Sequence, residues 1–545
     1  AADADTIANA TSGVVTATIT TGAVTTTLNA IGNVATTDTI TFTTDDSSVD
    51  ASDLRDLNAF IDTSDYSSIT GVTETSGGIG LNAVEVTTAL GLLDGTETVS
   101  ITGGSISAAD ADTIANATSS VVTASVTAAA ASTLAAALTN TTSTDAVTLT
   151  VNAEAASAAT DAADLVALNA DTSEAISLDA GLTSIKGLVS ELKSIYVTAA
   201  SDYTGEGDET ITLDDVEGTS LSASDLSAIG GATSGTVTVS NAVNISGTVS
   251  QINAALVTDD SKVTISGSTN ITATDVDGSS DLSSVNPGGT LTGQLANGVN
   301  ISANTKLGTV DNFSLNTDAS VTMTIAQHDV ISAAGGTNTV TLSNAGTVTG
   351  LSTVESYNLA DGTNSFTMAN GGQTVVGGTG VDNITGGTGV DNITAGAGND
   401  VVSAGSGGDV ITGGAGNDTL TGGDGSDRFV FASGDTSSTV ADEKILDFTS
   451  NSDKLDFGEA AGDISINDGA LIVLSTFLSN AGSHFASDGG GDLDVYIAYN
   501  MSGINDTLVA VDHNKDGSWG AGDTLIKLSG IALAEDILTT DITVY

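Results

Sequence analysis

The sequence predicts a mainly β protein with short helices, built as a repetitive solenoid, and three observations predict it. Related segments recur along the first half, β-branched runs bounded by Gly, Asn and Ser recur throughout, and a Gly/Asp-rich block repeats every nine residues. Strand–helix repeats are expected over 1–269 and a parallel β-helix-like segment over 270–358. A tighter coil should follow over 359–430, and a β cap over 431–545.

Residues 1–20, AADADTIANATSGVVTATIT, return at 108–127 as AADADTIANATSSVVTASVT, with 17 of 20 positions identical. Looser copies occupy 222–240, 51–64 and 161–173. Each has Ser or Asp near its start, suited to an N-cap, and then apolar residues at helical spacing, as Leu54, Leu57 and Ile61 are. A second unit alternates with it, a short Ala/Leu helix leading into a strand, as TVSQINAAL leads into SKVTISG. Candidate strands start near residues 14, 39, 67, 97, 120 and 144. That alternation favours parallel strands with right-handed crossovers. Units so small bury little alone and lean on their neighbours, as in a solenoid. Ordinary α/β domains made by duplication are the competing arrangement.

From about residue 270 the helical signal fades. Residues 321–368 read as short strands separated by Gly, Asn and Ser turns, which fits a parallel β-helix with Asn or Gly ending each rung.

Composition narrows the function. Over 545 residues, 10 Lys plus Arg face 68 Asp plus Glu, of which 55 are Asp, for a formal charge of −58. Such a chain repels nucleic-acid phosphates and anionic lipid. Without cysteine there is no disulfide, thiolate nucleophile or Cys-ligated zinc. No run approaches roughly 18 apolar residues, so no membrane-spanning helix is expected. His328, His484 and His513 form no HExxH or other close pair. Aromatics at 3% imply a thin core, yet runs such as 39–44 and 236–240 are too rich in Val, Ile and Thr for a disordered acidic chain. The excess of Asp over Glu suits tight turns and short-armed ligation of a hard cation. The chain opens at Ala1 without Met or a leader, as expected of a processed chain or fragment.

The nine-residue period carries the sharpest chemistry. Six blocks run without a gap: GGTGVDNIT (377–385), GGTGVDNIT (386–394), AGAGNDVVS (395–403), AGSGGDVIT (404–412), GGAGNDTLT (413–421) and GGDGSDRFV (422–430). All fit G-G-x-G-x-D-x-U-x, with Ala first in two of them. Blocks 359–367 and 368–376 keep the apolar eighth position but lack the sixth-position Asp, and should form rungs before the metal-binding ones. The glycines Gly378, Gly380, Gly387, Gly389, Gly396, Gly398, Gly405, Gly407, Gly414 and Gly416 permit positive φ in a turn and leave carbonyl oxygens accessible. The sixth-position residues Asp382, Asp391, Asp400, Asp409, Asp418 and Asp427 bring carboxylates to that turn, and Ca²⁺ takes about six to eight oxygens. Ile384, Ile393, Val402, Ile411, Leu420 and Phe429 should point inward. With nine residues per half coil, turns on one side recur every eighteen. Ions are then expected between Asp382 and Asp400, Asp391 and Asp409, Asp400 and Asp418, and Asp409 and Asp427, at least four in all. A metal-free linker has no reason to keep this register over 54 residues.

The array, the SDRFVF at its end, ILDFTSNSDKLDFG (445–458) and the terminal LAEDILTTDITVY resemble RTX (repeats-in-toxin) proteins exported by type I secretion. That resemblance implies a calcium-binding parallel β-roll over 359–430 and an uncleaved export signal within 431–545. The N-terminal repeats and the β-helix-like stretch resemble large bacterial surface-layer (S-layer) proteins of RTX type. A further candidate lies at Asp512, Asn514, Asp516, Gly517, Ser518 and Asp523, which keep the D-x-N-x-D-G spacing of a calcium loop, with Asp where an EF-hand has Glu. Flanking helices are not apparent, so a metal site and a plain Asx-rich turn both fit.

Three functions compete. The leading one is a secreted, calcium-dependent structural protein of the bacterial cell surface that assembles with itself into an S-layer-like lattice or sheath. Cell-surface polysaccharide or lipopolysaccharide is a second partner class. An adhesin would instead bind glycans or cells through the N-terminal repeats. An RTX-borne hydrolase would need a catalytic domain in 1–340. The sequence has no GxSxG or HExxH, too few Lys and Arg for an anion clamp, and few aromatics for a sugar groove, so no enzyme is expected.

Overall fold

The computed structural model describes residues 16–19, 39–43, 48–58, 63–65, 71–74, 83–92, 95–155, 158–258, 262–265, 267–332, 335–433, 435, 443–458, 461–467, 474–486, 493–498, 506–520, 522–529 and 542–543. They fall into two compact units, 1–271 with 285–289, and 272–284 with 290–545.

In the first unit the coils run strand, turn or helix, then strand, and the strand pairings described among its residues are parallel. Thr98–Ile106, Val122–Val126 and Ala146–Thr148 run side by side, as do Thr210–Leu213, Val237–Val239 and Val263–Ile265. Ile211 sits beside Val237 and Val237 beside Val263, so apolar residues one coil apart stack in register. Val122–Val126 alternates buried and exposed, which is a period-2 strand with one face in the core.

Crossover helices start where the sequence supplies caps. Ser107 accepts from the Asp110 amide to open Ala108–Ala117, Asp161 opens Ala162–Ala170, and Ser222 opens Ala223–Ala232. Thr248 and Gln251 form a reciprocal capping box on Val249–Leu256. Helix Ala51–Asn58 contains Leu54 and Leu57. Ile61 and the first copy of the repeat, apart from strand Thr16–Ile19, lie outside the described residues. The strands expected near 39, 97, 120 and 144 are present, and the one expected near 67 runs Gly71–Glu74.

The second unit loses the helices, as the fading periodicity predicts. Between residues 272 and 458 its only described α-helix is Ile325–His328. Here the coil shortens to two strands. One sheet carries Val340, Tyr357, Val375, Ile393, Ile411, Phe429 and Leu455 in a single register column, all 0% exposed. The facing sheet stacks Phe366, Ile384, Val402, Leu420 and Ile445. These columns, with small buried residues such as Ala395 and Ala404 beside them, form the core of the array, which is why so few aromatics suffice.

Beyond residue 458 the pattern changes. Leu493–Ala498, Asp506–Asp512 and Thr524–Ser529 form an antiparallel meander, joined to the β-roll where Thr524–Ser529 pairs with Glu443–Ile445. Helix Leu474–Phe485 packs Phe477, Ala481 and Phe485 against Tyr496, Ala498, Leu508, Ala510 and Leu525. Among the described residues no helix is long and apolar enough to cross a membrane.

Candidate metal centre

Each sixth-position aspartate stands directly after its glycine turn, Asp382 as the first residue of a strand and the other five one residue before one. Gly380 (φ 118°), Gly389 (φ 112°) and Gly416 (φ 151°) lie in backbone regions that L-residues rarely adopt. The turn therefore needs glycine there, and the chain reverses tightly enough to bring the next Asp to its rim. All six aspartates are 0–1% exposed.

Successive turns on one side are joined through these carboxylates. The Asp382 amide donates to Oδ1 of Asp400 at 2.7 Å, and the Asp400 amide to Oδ1 of Asp418 at 2.8 Å. On the other side Asp391 donates to Asp409 and Asp409 to Asp427, both at 2.8 Å. The structure thus brings together the four aspartate pairs eighteen residues apart, in step with the register Asn383–Val401 and Asn392–Val410.

The ladders run past the repeats at both ends. Upstream, the Asn364 and Gln373 amides donate to Asp382 and Asp391 Oδ1 at 3.0 and 2.7 Å. Downstream, the Asp418 amide donates to Glu443 Oε2 at 2.9 Å, and the Asp427 amide to Asp453 Oδ1 at 3.0 Å. Asp447 receives the Gly422 and Gly423 amides at 2.9 and 2.7 Å. Sequence reasoning missed these three acidic residues because the nonapeptide spacing ends at 430. A signal was present: Glu443-Lys444-Ile445 and Asp453-Lys454-Leu455 repeat the acid-x-apolar triplet of Asp418-Thr419-Leu420.

The second carboxylate oxygens decide what the ladders can hold. Oδ2 of Asp382, Asp400, Asp409, Asp418 and Asp427, and Oε1 of Glu443, are buried with no hydrogen-bond partner. Only Asp391 differs, its Oδ2 accepting from Gly387 at 3.2 Å. An uncompensated buried carboxylate oxygen is costly, and a hard cation removes that cost. Burial raises the Asp400 and Asp409 carboxyls above their usual range. Burial, with neighbouring carboxylates adding to it, lifts Asp427 to about 6, Asp418 to about 7 and Glu443 to about 9. A divalent ion inverts that balance by favouring the charged form. Among the described residues no three His, Asp or Glu side chains converge as a ready-made cage, so turn carbonyls would have to complete the shell. The Gly378 and Gly387 carbonyls already accept from Ala397 and Ser406 at 3.1 Å, contrary to the expectation that turn carbonyls stay open, and each keeps a second lone pair. The donor set is all oxygen, anionic and turn-borne, and it fits calcium.

The RTX calcium-binding nonapeptide repeat (4 copies) matches residues 369–402, 376–411 and 403–437. This is an RTX repeat array. RTX nonapeptides bind Ca²⁺, and they mark the chain as calcium-binding and of the secreted type. No curated protein matches the chain.

Outside the RTX array, Asp512, Asn514, Asp516 and Asp523 lie in or at the ends of the loop that joins strands Asp506–Asp512 and Thr524–Ser529. Asp512 and Asp523 are 0% exposed, whereas Asn514 and Asp516 are exposed. The segments flanking the loop are strands, not the helices of an EF-hand. Burial, reinforced by Asp512 and Asp516, raises Asp523 to about 6.

Proposed function

We propose that this chain is a secreted, calcium-dependent structural protein of the bacterial cell surface that assembles with copies of itself into an S-layer-like lattice or sheath. The observation that supports it best is the stack itself. In each unit, parallel strands repeat coil after coil in register, with hydrogen bonds running from one coil to the next. Repeats of this kind gain stability from neighbours and present regular surfaces, which suits a building element. A charge of −58 keeps copies apart until calcium screens or bridges it.

In the RTX array the pairs Asp382–Asp400, Asp391–Asp409, Asp400–Asp418 and Asp409–Asp427 would hold the ions, with the unpartnered second oxygens of Asp382, Asp400, Asp409, Asp418 and Asp427 among the donors. Glu443 and Asp453 extend the two series by one rung each. Calcium supplies cross-links between coils and neutralises their charge. The chain's own part is to present oxygens at fixed spacing and to bury the apolar columns beneath them.

Two measurements test this. Electron microscopy of the full-length protein should show sheets or filaments in millimolar calcium and dispersed particles in chelator. Discrete monomers in calcium that capture immobilised glycans would replace the lattice with an adhesin. Isothermal calorimetry of Glu443→Gln should lose or weaken one calcium site while the remaining array sites keep their affinity. A calcium count and affinity equal to those of the parent would remove Glu443 from the site.

A further inference from the structure

The meander at the end of the chain holds a feature that hairpin geometry does not explain. Val511 pairs with Thr524, so Asp512 to Asp523 form a twelve-residue connection between antiparallel neighbours. Hairpin loops usually take about two to five residues. This longer one is tied back on itself: the Gly517 amide donates to Asp512 Oδ2 at 2.9 Å, and the Gly520 amide to Asp523 Oδ2 at 2.6 Å. Gly517 makes the turn at φ 71°. Asp512, Asn514, Asp516 and Asp523 hold the first, third, fifth and twelfth places, those that supply side-chain oxygens in a calcium loop, and Gly517 the sixth.

The other oxygens of the first and last residues decide the matter. Asp512 Oδ1 and Asp523 Oδ1 are buried and have no hydrogen-bond partner. Their partners at Oδ2 fix both carboxylates in place, so neither oxygen is free to swing out to water. A third acid, Asp494, is 1% exposed and stands directly across from Asp512 on the next strand. His513 is engaged elsewhere, contacting Thr524 Oγ1 at 2.8 Å through Nδ1 and the Phe457 carbonyl at 3.3 Å through Nε2. Two buried anionic oxygens at the ends of one loop, with Asn514 and Asp516 between them, ask for a hard cation. Calcium tolerates such irregular oxygen sets better than magnesium, which requires a near-ideal octahedron.

We propose that the Asp512–Asp523 loop is a calcium site separate from the RTX array, carried on a β-hairpin, and that the ion fixes Trp519 against helix Leu474–Phe485. Trp519, the only tryptophan, lies at the eighth place of the loop. Its ring packs on Phe485 with centroids 5.9 Å apart. Gly482 leaves room for it, since a side chain there would press on the Trp519 Cβ. Ordering the loop therefore orders the seat of the helix. The site does not depend on the assembly reading.

Terbium, a luminescent calcium substitute, tests it in the full chain through energy transfer from Trp519. Sensitised emission should appear with terbium and be displaced by calcium, and Asp512→Asn with Asp523→Asn should weaken binding by at least about tenfold, since ligand charge sets affinity in such loops. Asp516→Ala, at an exposed position that leaves the core untouched, should weaken it as well. Emission that survives unchanged in these variants comes from array ions and overturns the proposal, as does the absence of any calcium-displaceable emission in the parent. The calcium response of the array is read separately by circular dichroism, so either site can fail without the other.

Discussion

Removing calcium from the full-length chain should unfold the RTX array over 377–430 and lower its apparent stability by on the order of 10 kcal/mol. A site filled at 100 times its dissociation constant adds roughly 2.7 kcal/mol, so the four aspartate pairs together add about 11 kcal/mol. That matches the whole stability of a typical domain, about 5–15 kcal/mol. The structure gives the reason that so much rests on the ion. The core is one large apolar residue per strand with small residues such as Ala395 and Ala404 beside it, while each rung buries an aspartate, five of the six with an oxygen that has no partner. Without a cation the folded array confines carboxylates that burial and mutual repulsion disfavour as anions. Far-ultraviolet circular dichroism and thermal melts in chelator and in millimolar calcium check it. Identical spectra and melting temperatures would remove calcium from the folding of the array. If the dependence holds, the array folds outside the cell, where calcium is abundant, rather than in the low-calcium cytosol.

Gly416→Ala and Gly425→Ala should each cost about 3 kcal/mol or more. Their φ angles, 151° and 149°, already exclude most L-residues. A Cβ at either would also strike the carbonyl oxygen of the equivalent glycine one coil back, Gly398 or Gly407. The coils cannot separate to relieve the clash, because the Asp400 and Asp409 amides are bonded to Asp418 and Asp427 across the same gap. Gly335→Ala provides the comparison, since nothing lies within 4 Å of the added carbon and its φ is ordinary. Urea unfolding in saturating calcium measures the difference. Equal midpoints for Gly416→Ala and Gly335→Ala would disprove close stacking of the turns.

Much of the fold was legible because its instructions are local and repeated. Asp161 and Ser222 stand at the start of their repeat copies in the sequence and cap helices in the structure. The eighth-position residues Ile384 to Phe429 are all fully buried.

By itself the sequence determined the period, the turn chemistry and the burial of one apolar residue per strand. Nine residues contain their own turn, carboxylate and core contact, so the pattern repeats without distant help. Only the tertiary structure decided where the carboxylate ladders end, and which side chains the closing hairpin buries. Glu443 and Asp453 reach the ladders across gaps of 25 and 26 residues, and Trp519 meets Phe485 through a strand meander. Those contacts join segments with no common period. They form when the chain returns on itself, and no local spacing encodes that return.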